Sequence, residues 1–293
     1  MRSKKVYTVF GKQDNVVSKV VINVIHHTDE LTFIENVNLE RLVEINNDKY
    51  DIVFILPEIF RSSDLINQFS SINFCFVEDS NLSSSAKYNR YLISHQYYDL
   101  FNDYEFVLVY QLDTWIFSLD LEPFVDLGFD IIGAPIFSED RHLGTRLING
   151  CNGGVSLRKV KSFQEILRRP FIFRLNELYA ELGFGDISKH PFRTFFKRVV
   201  SGLIFFYKPG VFWPKHINED LYWSVVVPRK NIQFRVAPMQ YCIKFCFDQF
   251  PRTLYVKNNN ELPLFVHALE KYDFEFWEDF LIFTRGYDQK VSD

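Results

Sequence analysis

The stretch that most constrains the fold is Phe106 to Tyr110, F-V-L-V-Y, set inside Y-E-F-V-L-V-Y-Q-L-D-T-W-I-F at 104–117. An extended segment that is apolar at every position has to be covered on both faces. That is the pattern of a central strand in a parallel or mixed sheet. Asp113 follows just after the run. Burying an unpaired carboxylate is costly, so the acid belongs where the strand leaves the core. Open α/β sheets bind ligands outside the carboxyl ends of their strands, and Asp113 falls there. A turn or helix-cap role is the alternative at this point.

The chain before it alternates. Lys19 to His26, Tyr50 to Leu56 and Ile72 to Val77 are rich in β-branched and aromatic residues and read as strands. Leu31 to Ile45 has helical spacing, with Thr28 or Asp29 as its cap; Ser63 to Phe69 reads as a short helix, and Ser83 to about Phe101 as a longer one. Strand and helix in turn predict an α/β fold with a mixed, mostly parallel, Rossmann-like sheet and helices on both faces. Residues 1–18 add an edge strand or form a tail. The reading is a single domain over 1–293, with a first part at 19–158, a basic helical excursion at 159–215 and a last part with a C-terminal helix at 216–293.

With 32 Phe and 47% apolar residues, the chain can build a large core. Its net charge of −4 hides an asymmetry: Arg158 to Lys215 holds twelve Lys or Arg against four Asp or Glu, a balance of +8 that leaves −12 elsewhere. Such a segment faces phosphates, an anionic membrane or an acidic partner, or is a solvated helical face. Within it, Phe192 to Phe206 reads as an amphipathic helix that packs as core or rests on an anionic membrane, which liposome flotation would test. The overall acidity argues against nucleic acid. Cys75, Cys151, Cys242 and Cys246 have neither disulfide-framework nor zinc spacing. Without a secretion-type h-region or a long apolar span, the expectation is a cytoplasmic, reduced protein, with peripheral contact at the inner membrane as a further option.

Beyond Asp113, Phe129 to Pro135 reads as a short buried strand, and Gly144 to Arg158 as a Gly-rich loop that lets a ligand approach the backbone. It has no P-loop or dinucleotide spacing. Glu219 and Asp220 open an apolar helical pattern. They are either helix-start acids favoured by the dipole or a general base held toward a cleft. Gln233 to Pro238 and Tyr241 to Phe247 read as strands, and His267 closes an apolar run.

Four pieces occur in a familiar order: Q-L-D-T at 111–114, N-G-C-N-G-G-V-S-L-R at 149–158, N-E-D-L-Y-W-S at 218–224 and F-V-H-A at 265–268. Over residues 19–270 the chain resembles a family of bacterial GT-A-fold glycosyltransferases, largely uncharacterised, associated with surface polysaccharide synthesis such as capsule or lipopolysaccharide. The resemblance implies a hexosyltransferase-type enzyme that uses a nucleotide-sugar donor and a glycan or lipid-linked acceptor. It places Asp113 and His267 at the metal, with Mn²⁺ favoured over Mg²⁺ because Mn²⁺ better accepts an imidazole. The family's Asp-X-Asp motif reads Gln111-Leu112-Asp113 here, so the first acid is missing and the need for a metal is open. Donor contacts implied are Gln111, Asp113, Lys87, Asn89, Thr28, Asn152, Gly153 and Gly154. Asp220 is the implied base, with Glu219 second. Two other readings stay open: a GT-A-fold protein that binds nucleotide sugars without turnover, and a metal-dependent nucleotidyltransferase. The donor sugar, the acceptor and the stereochemical outcome are not specified.

Overall fold

The structure is a computed structural model that describes residues 7–8, 19–69, 71–140, 144–168 and 218–282. Most of the basic excursion, including Phe192 to Phe206, lies outside the described residues. Among those described, no helix is long and apolar enough to cross a membrane.

The main sheet has seven strands in the order β1-β4-β3-β2-β5-β8-β7. These are β1 (Tyr7–Thr8), β2 (Val20–Ile25), β3 (Asp51–Pro57), β4 (Asn73–Val77), β5 (Phe106–Tyr110), β7 (Ile131–Asp140) and β8 (Gly144–Lys159). Strands β2 to β5 run parallel, while β1, at one edge, is antiparallel to β4. β8 is antiparallel to both β5 and β7. The fold is therefore the expected mixed, mostly parallel α/β sheet. Every residue of β2 and β5 is buried; β5 is apolar throughout, and Asn23 within β2 donates to Val53 O at 2.9 Å and accepts from the Tyr97 hydroxyl at 2.8 Å. Burial of each large apolar side chain there stabilises by roughly 1.5–3 kcal/mol.

Chain order runs outward from β2 through β3 to β4 and then returns to the other side of β2 as β5. Strand order thus reverses between β2 and β5, and the crevice beyond their carboxyl ends is where such sheets admit ligands. A second, three-stranded sheet covers that end: β6 (Thr114–Ile116), β10 (Phe265–His267) and β9 (Cys246–Phe247), in the order β6-β10-β9.

Several local expectations are corrected. The first helix is Phe33–Asn46 and is capped by Thr32, not by Thr28 or Asp29. The Thr32 hydroxyl accepts from the Glu35 backbone N–H, and the Glu35 carboxylate accepts from the Thr32 N–H at 2.8 Å. This reciprocal box was written in T-F-I-E. The helix expected from Ser83 is broken into Ser85–Tyr91, His95–Tyr98 and Asp99–Phe101, because Ser94 starts a new helix by accepting from the Tyr97 N–H at 3.3 Å. Gly144 to Arg158 is not a loop but most of β8. β7 pairs with it over most of its length and β5 with its last residues. The strand expected at Tyr241 to Phe247 is mainly the helix Met239–Phe245, entered through Pro238 and burying Cys242, Ile243 and Phe245. Only Cys246 and Phe247 are extended there. Of Gln233 to Pro238, only Val236 makes a bridge, to Ile131.

Candidate active site

The small sheet decides which residues meet. In its register His267 lies opposite Thr114, and Val266 lies beside Phe247. The residues that leave these strands, Asp113 before β6 and Asp248 after β9, therefore arrive on either side of the histidine. His267 Nε2 is 3.4 Å from Asp113 Oδ1, and its Nδ1 is 3.5 Å from Asp248 Oδ2. The 112–114 turn is held by its carbonyls. Leu112 O accepts from the Asn38 amide at 2.7 Å, Asp113 O from the Ala268 N–H at 3.0 Å, and Thr114 O from the Tyr110 hydroxyl at 2.6 Å. With the backbone so occupied, the Asp113 side chain is left 55% exposed at the mouth. A pocket of about 130 Å³ opens beside it, lined by Ile34, Trp115, Leu269 and Lys271 among others.

β8 brings the next pieces. The Gln111 N–H donates to Gly154 O at 3.0 Å, setting the Asn152–Gly154 corner against the end of β5. A side chain at Gly154 would collide with the His267 imidazole, and one at Gly153 would collide with the Glu219 carboxylate and crowd Asp220. The two glycines are needed here for close approach. Gly154→Ala is expected to cost roughly 1–3 kcal/mol through overpacking, read as a lowered urea midpoint with an unchanged slope.

Asp113 and His267 thus stand on one side of this corner, and Glu219 and Asp220 on the other. Tyr88 joins the two sides. Its hydroxyl accepts from the Gln111 amide at 3.2 Å, and burial, followed by the nearby charge of Glu219, pushes it up to about 12.

The acids at 219 and 220 differ sharply. Glu219 is buried against Arg158, whose NH2 donates to Oε1 at 2.8 Å with side-chain exposures of 0% for the arginine and 6% for the glutamate. Arg158 also donates to Ser156 Oγ at 2.8 Å and to the Tyr98 hydroxyl at 3.1 Å. Burial alone would depress the guanidinium, but Glu219 outweighs it and holds Arg158 well above its ordinary value. Glu219, the second choice as base, has its Oε1 engaged by Arg158 in this buried ion pair. Asp220 is raised to about 6, by burial first and by the Glu219 charge second, against the lowering effect of the Leu221 and Gly153 N–H groups and Arg158. A carboxylate poised there can exchange a proton near neutral pH. Both acids begin a helix that passes into a π-helical turn, Tyr222–Val226, anchored by the fully buried Trp223 donating to Leu92 O at 3.2 Å.

Of the other implied donor contacts, Asn152 and Gln111 lie at the centre. Asn152 donates to Asp248 Oδ2 at 2.8 Å and accepts from the Gly154 N–H at 2.7 Å. The oxygen of Gln111 accepts from His267 Nε2 at 3.0 Å. Asn89 is tied to the start of the 219 helix: its oxygen accepts from the Glu219 N–H at 3.0 Å and its amide donates to Ser85 O at 2.9 Å. Lys87 is exposed on the Ser85–Tyr91 helix, and among the described residues its ammonium makes no hydrogen bond or ion pair to the site. Thr28 shapes its own turn beyond β2, with its carbonyl on His26 Nδ1 at 2.8 Å and its hydroxyl on the Glu30 N–H at 3.2 Å. Sequence reasoning missed Asp248, Arg158 and Tyr88. Asp248 carried a weaker form of the Asp113 signal, an acid after a mostly apolar run that Lys244 interrupts, Y-C-I-K-F-C-F-D.

Among the described residues no three His, Cys, Asp or Glu side chains form a metal-holding group by themselves. A partial set is present. Asp113 Oδ1 and Gln111 Oε1 lie 3.4 and 3.0 Å from His267 Nε2. Neighbouring ligands of one octahedral Mg²⁺-sized ion are about 3 Å apart, so the spacing of His267 Nε2 to each of the two oxygens is one that a shared cation could span, with other positions from water or substrate. Burial pushes His267 down, but Asp113 and Asp248 outweigh it and hold the ring up at about 10. His267 in turn overcomes the effect of burial on Asp113 and lowers it. A cation at Nε2 therefore has to take the place of a proton.

Residues 71–267, well over half the chain and including Asp113, Asp220, Asp248 and His267, match the family model described as Protein of unknown function (DUF5672). The chain belongs to that family. No curated protein matches the sequence significantly. Among solved structures, the DUF5672 chain is similar to a glycosyltransferase involved in the glycosylation of the major capsid of PBCV-1, at 14% identity and TM-score 0.41, covering 85% of this chain and 92% of that one. It is also similar to mouse xyloside xylosyltransferase 1, at 9% identity and TM-score 0.40, covering 86% and 97%. A third likeness is to the glycosyltransferase GlyE of Streptococcus pneumoniae TIGR4, at 13% identity and TM-score 0.35, covering 86% of this chain and 55% of that one.

Proposed function

We propose that this DUF5672 protein is a GT-A-like glycosyltransferase that moves a sugar from a nucleotide-diphosphate donor to a glycan or lipid-linked acceptor. The observation that supports this best is the convergence of Asp113 and His267 on one side of Gly153–Gly154 with Asp220 on the other, at the strand-order reversal. Sugar transfer needs both functions close together. The departing diphosphate needs its charge neutralised, and the acceptor hydroxyl needs a base. Asp113 and His267, with Gln111, would hold a divalent cation, Mn²⁺ in preference to Mg²⁺, and such an ion supplies Lewis-acid neutralisation of the diphosphate. Asp220 accepts the hydroxyl proton. The glycine corner lets His267 and Glu219 pack against backbone, which brings the two sides of the site close together. A hexosyl donor, a bacterial surface polysaccharide as product and a cytoplasmic-face acceptor belong to the same proposal.

The test is a melting screen of UDP, GDP and CDP sugars with and without Mn²⁺, followed by a transfer assay with the donor that binds. A ligand at ~100 times its dissociation constant adds about 2.7 kcal/mol, enough to see. Asp113→Ala should remove transfer while leaving the fold intact, since its exposed side chain supports little else. Full transfer by the folded variant would refute the reading. A second reading, binding without turnover, is favoured by Gln111 where the first acid of the family motif would stand. Donor-induced stabilisation with no product across a broad acceptor panel would establish it.

A further inference from the structure

We infer that Asp248 is a positioning residue that ties the His267 imidazole to the Asn152–Gly154 corner and thereby sets the affinity of the site for a divalent cation. The inference takes its chemistry from the glycosyltransferase reading but stands on separate contacts. Asp248 leaves β9 with its side chain only 4% exposed. Its Oδ2 accepts from the Asn152 amide at 2.8 Å and faces His267 Nδ1 at 3.5 Å. Its Oδ1 has no hydrogen-bond partner among the described residues. A carboxylate is costly to bury, and these two contacts are its compensation.

The contacts close a ring. Asn152 also accepts from the Gly154 N–H at 2.7 Å, and the space left by the missing side chain of Gly154 is filled by the His267 ring. Asp248 therefore links the Asn152–Gly154 corner to the His267 ring, by hydrogen bonds on the Asn152 side and by an ion-pair contact, not a hydrogen bond, at Nδ1. Within that ring the carboxylate faces Nδ1, while Nε2 is turned toward Asp113 and Gln111. A carboxylate on the far nitrogen of a ligating imidazole fixes its orientation and raises its basicity, and loss of such a partner typically weakens metal binding 10–100-fold.

Mn²⁺ alone is titrated into the full chain, with the free ion followed by electron paramagnetic resonance. Wild type, Asp248→Asn, His267→Ala and the double variant form a cycle, and thermal melting checks that each is folded. Asp248→Asn should weaken Mn²⁺ binding about 10–100-fold, and should have no further effect once His267 is alanine. Asn152→Ala, which removes one tie without changing charge, should weaken binding in the same direction and decides the matter if Asp248→Asn does not fold. Wild-type affinity in the folded Asp248→Asn variant would overturn the inference. So would equal losses in both histidine backgrounds, or no Mn²⁺ binding by the wild type. The outcome is separable from the parent reading: a closed cycle in a protein that transfers no sugar upholds Asp248 and sinks the transferase, and transfer with an open cycle does the reverse.

Discussion

Replacing Arg158 with alanine is expected to cost roughly 3–5 kcal/mol, the penalty for leaving one member of a buried ion pair alone. Glu219 would be left buried without its partner, and Ser156 and Tyr98 would lose the guanidinium that now donates to them. Thermal unfolding should show a drop on the order of 10 °C. Glu219→Gln should also destabilise, whereas Arg158→Met combined with Glu219→Leu should recover much of the loss, because no charge is then stranded. An unaltered melting point for Arg158→Ala would mean that the pair is not buried as described. The effect should reach the chemistry as well. Arg158 holds the helix start that presents Asp220, so the surviving folded fraction should also be impaired.

Asp220→Asn is expected to abolish transfer, by ~10²–10⁴-fold for a lost general base, while making the protein more stable at neutral pH. The two effects have one origin. Burial and the Glu219 charge raise Asp220 to about 6 from its ordinary 3.8. The folded state thus holds this proton more tightly than the unfolded chain. The stability it contributes is complete below about pH 4 and is lost as pH rises through about 6, an effect on the order of 3 kcal/mol. Asparagine removes that loss and keeps an oxygen for the Leu221 N–H, now bonded at 2.7 Å. Wild-type kcat/KM should fall about tenfold per unit below pH 6, where the base becomes protonated. A flat wild-type profile between pH 5 and about 7, or an active Asp220→Asn variant, would remove Asp220 from the mechanism.

What the residues disclosed in advance follows from how local each signal is. β5 was legible to the residue because an all-apolar run has one explanation, and Asp113 at its end followed from the cost of burying charge. The T-F-I-E box was equally explicit but lay one turn beyond the cap that was chosen. Glycine spacing misled at 144–158, since glycines that free a loop are also glycines that let a strand run close under side chains from elsewhere. Separating Glu219 from Asp220 was beyond any reading of adjacent acids. Their difference is imposed by Arg158, sixty-one positions earlier in sequence. Asp248 was hidden for a different reason: the run before it is mostly helix, and only two extended residues bring it beside His267.

The three-stranded sheet has a consequence for the order of events in synthesis. It takes β6 from the middle of the chain but β9 and β10 from residues 246–267. Domains begin to form from the N-terminus while translation continues. The parallel strands β2 to β5 can pair as soon as residue 110 has emerged, long before the ribosome supplies the histidine that Asp113 faces. A nascent chain halted before residue 246 would carry a nearly finished platform on which nothing could yet react.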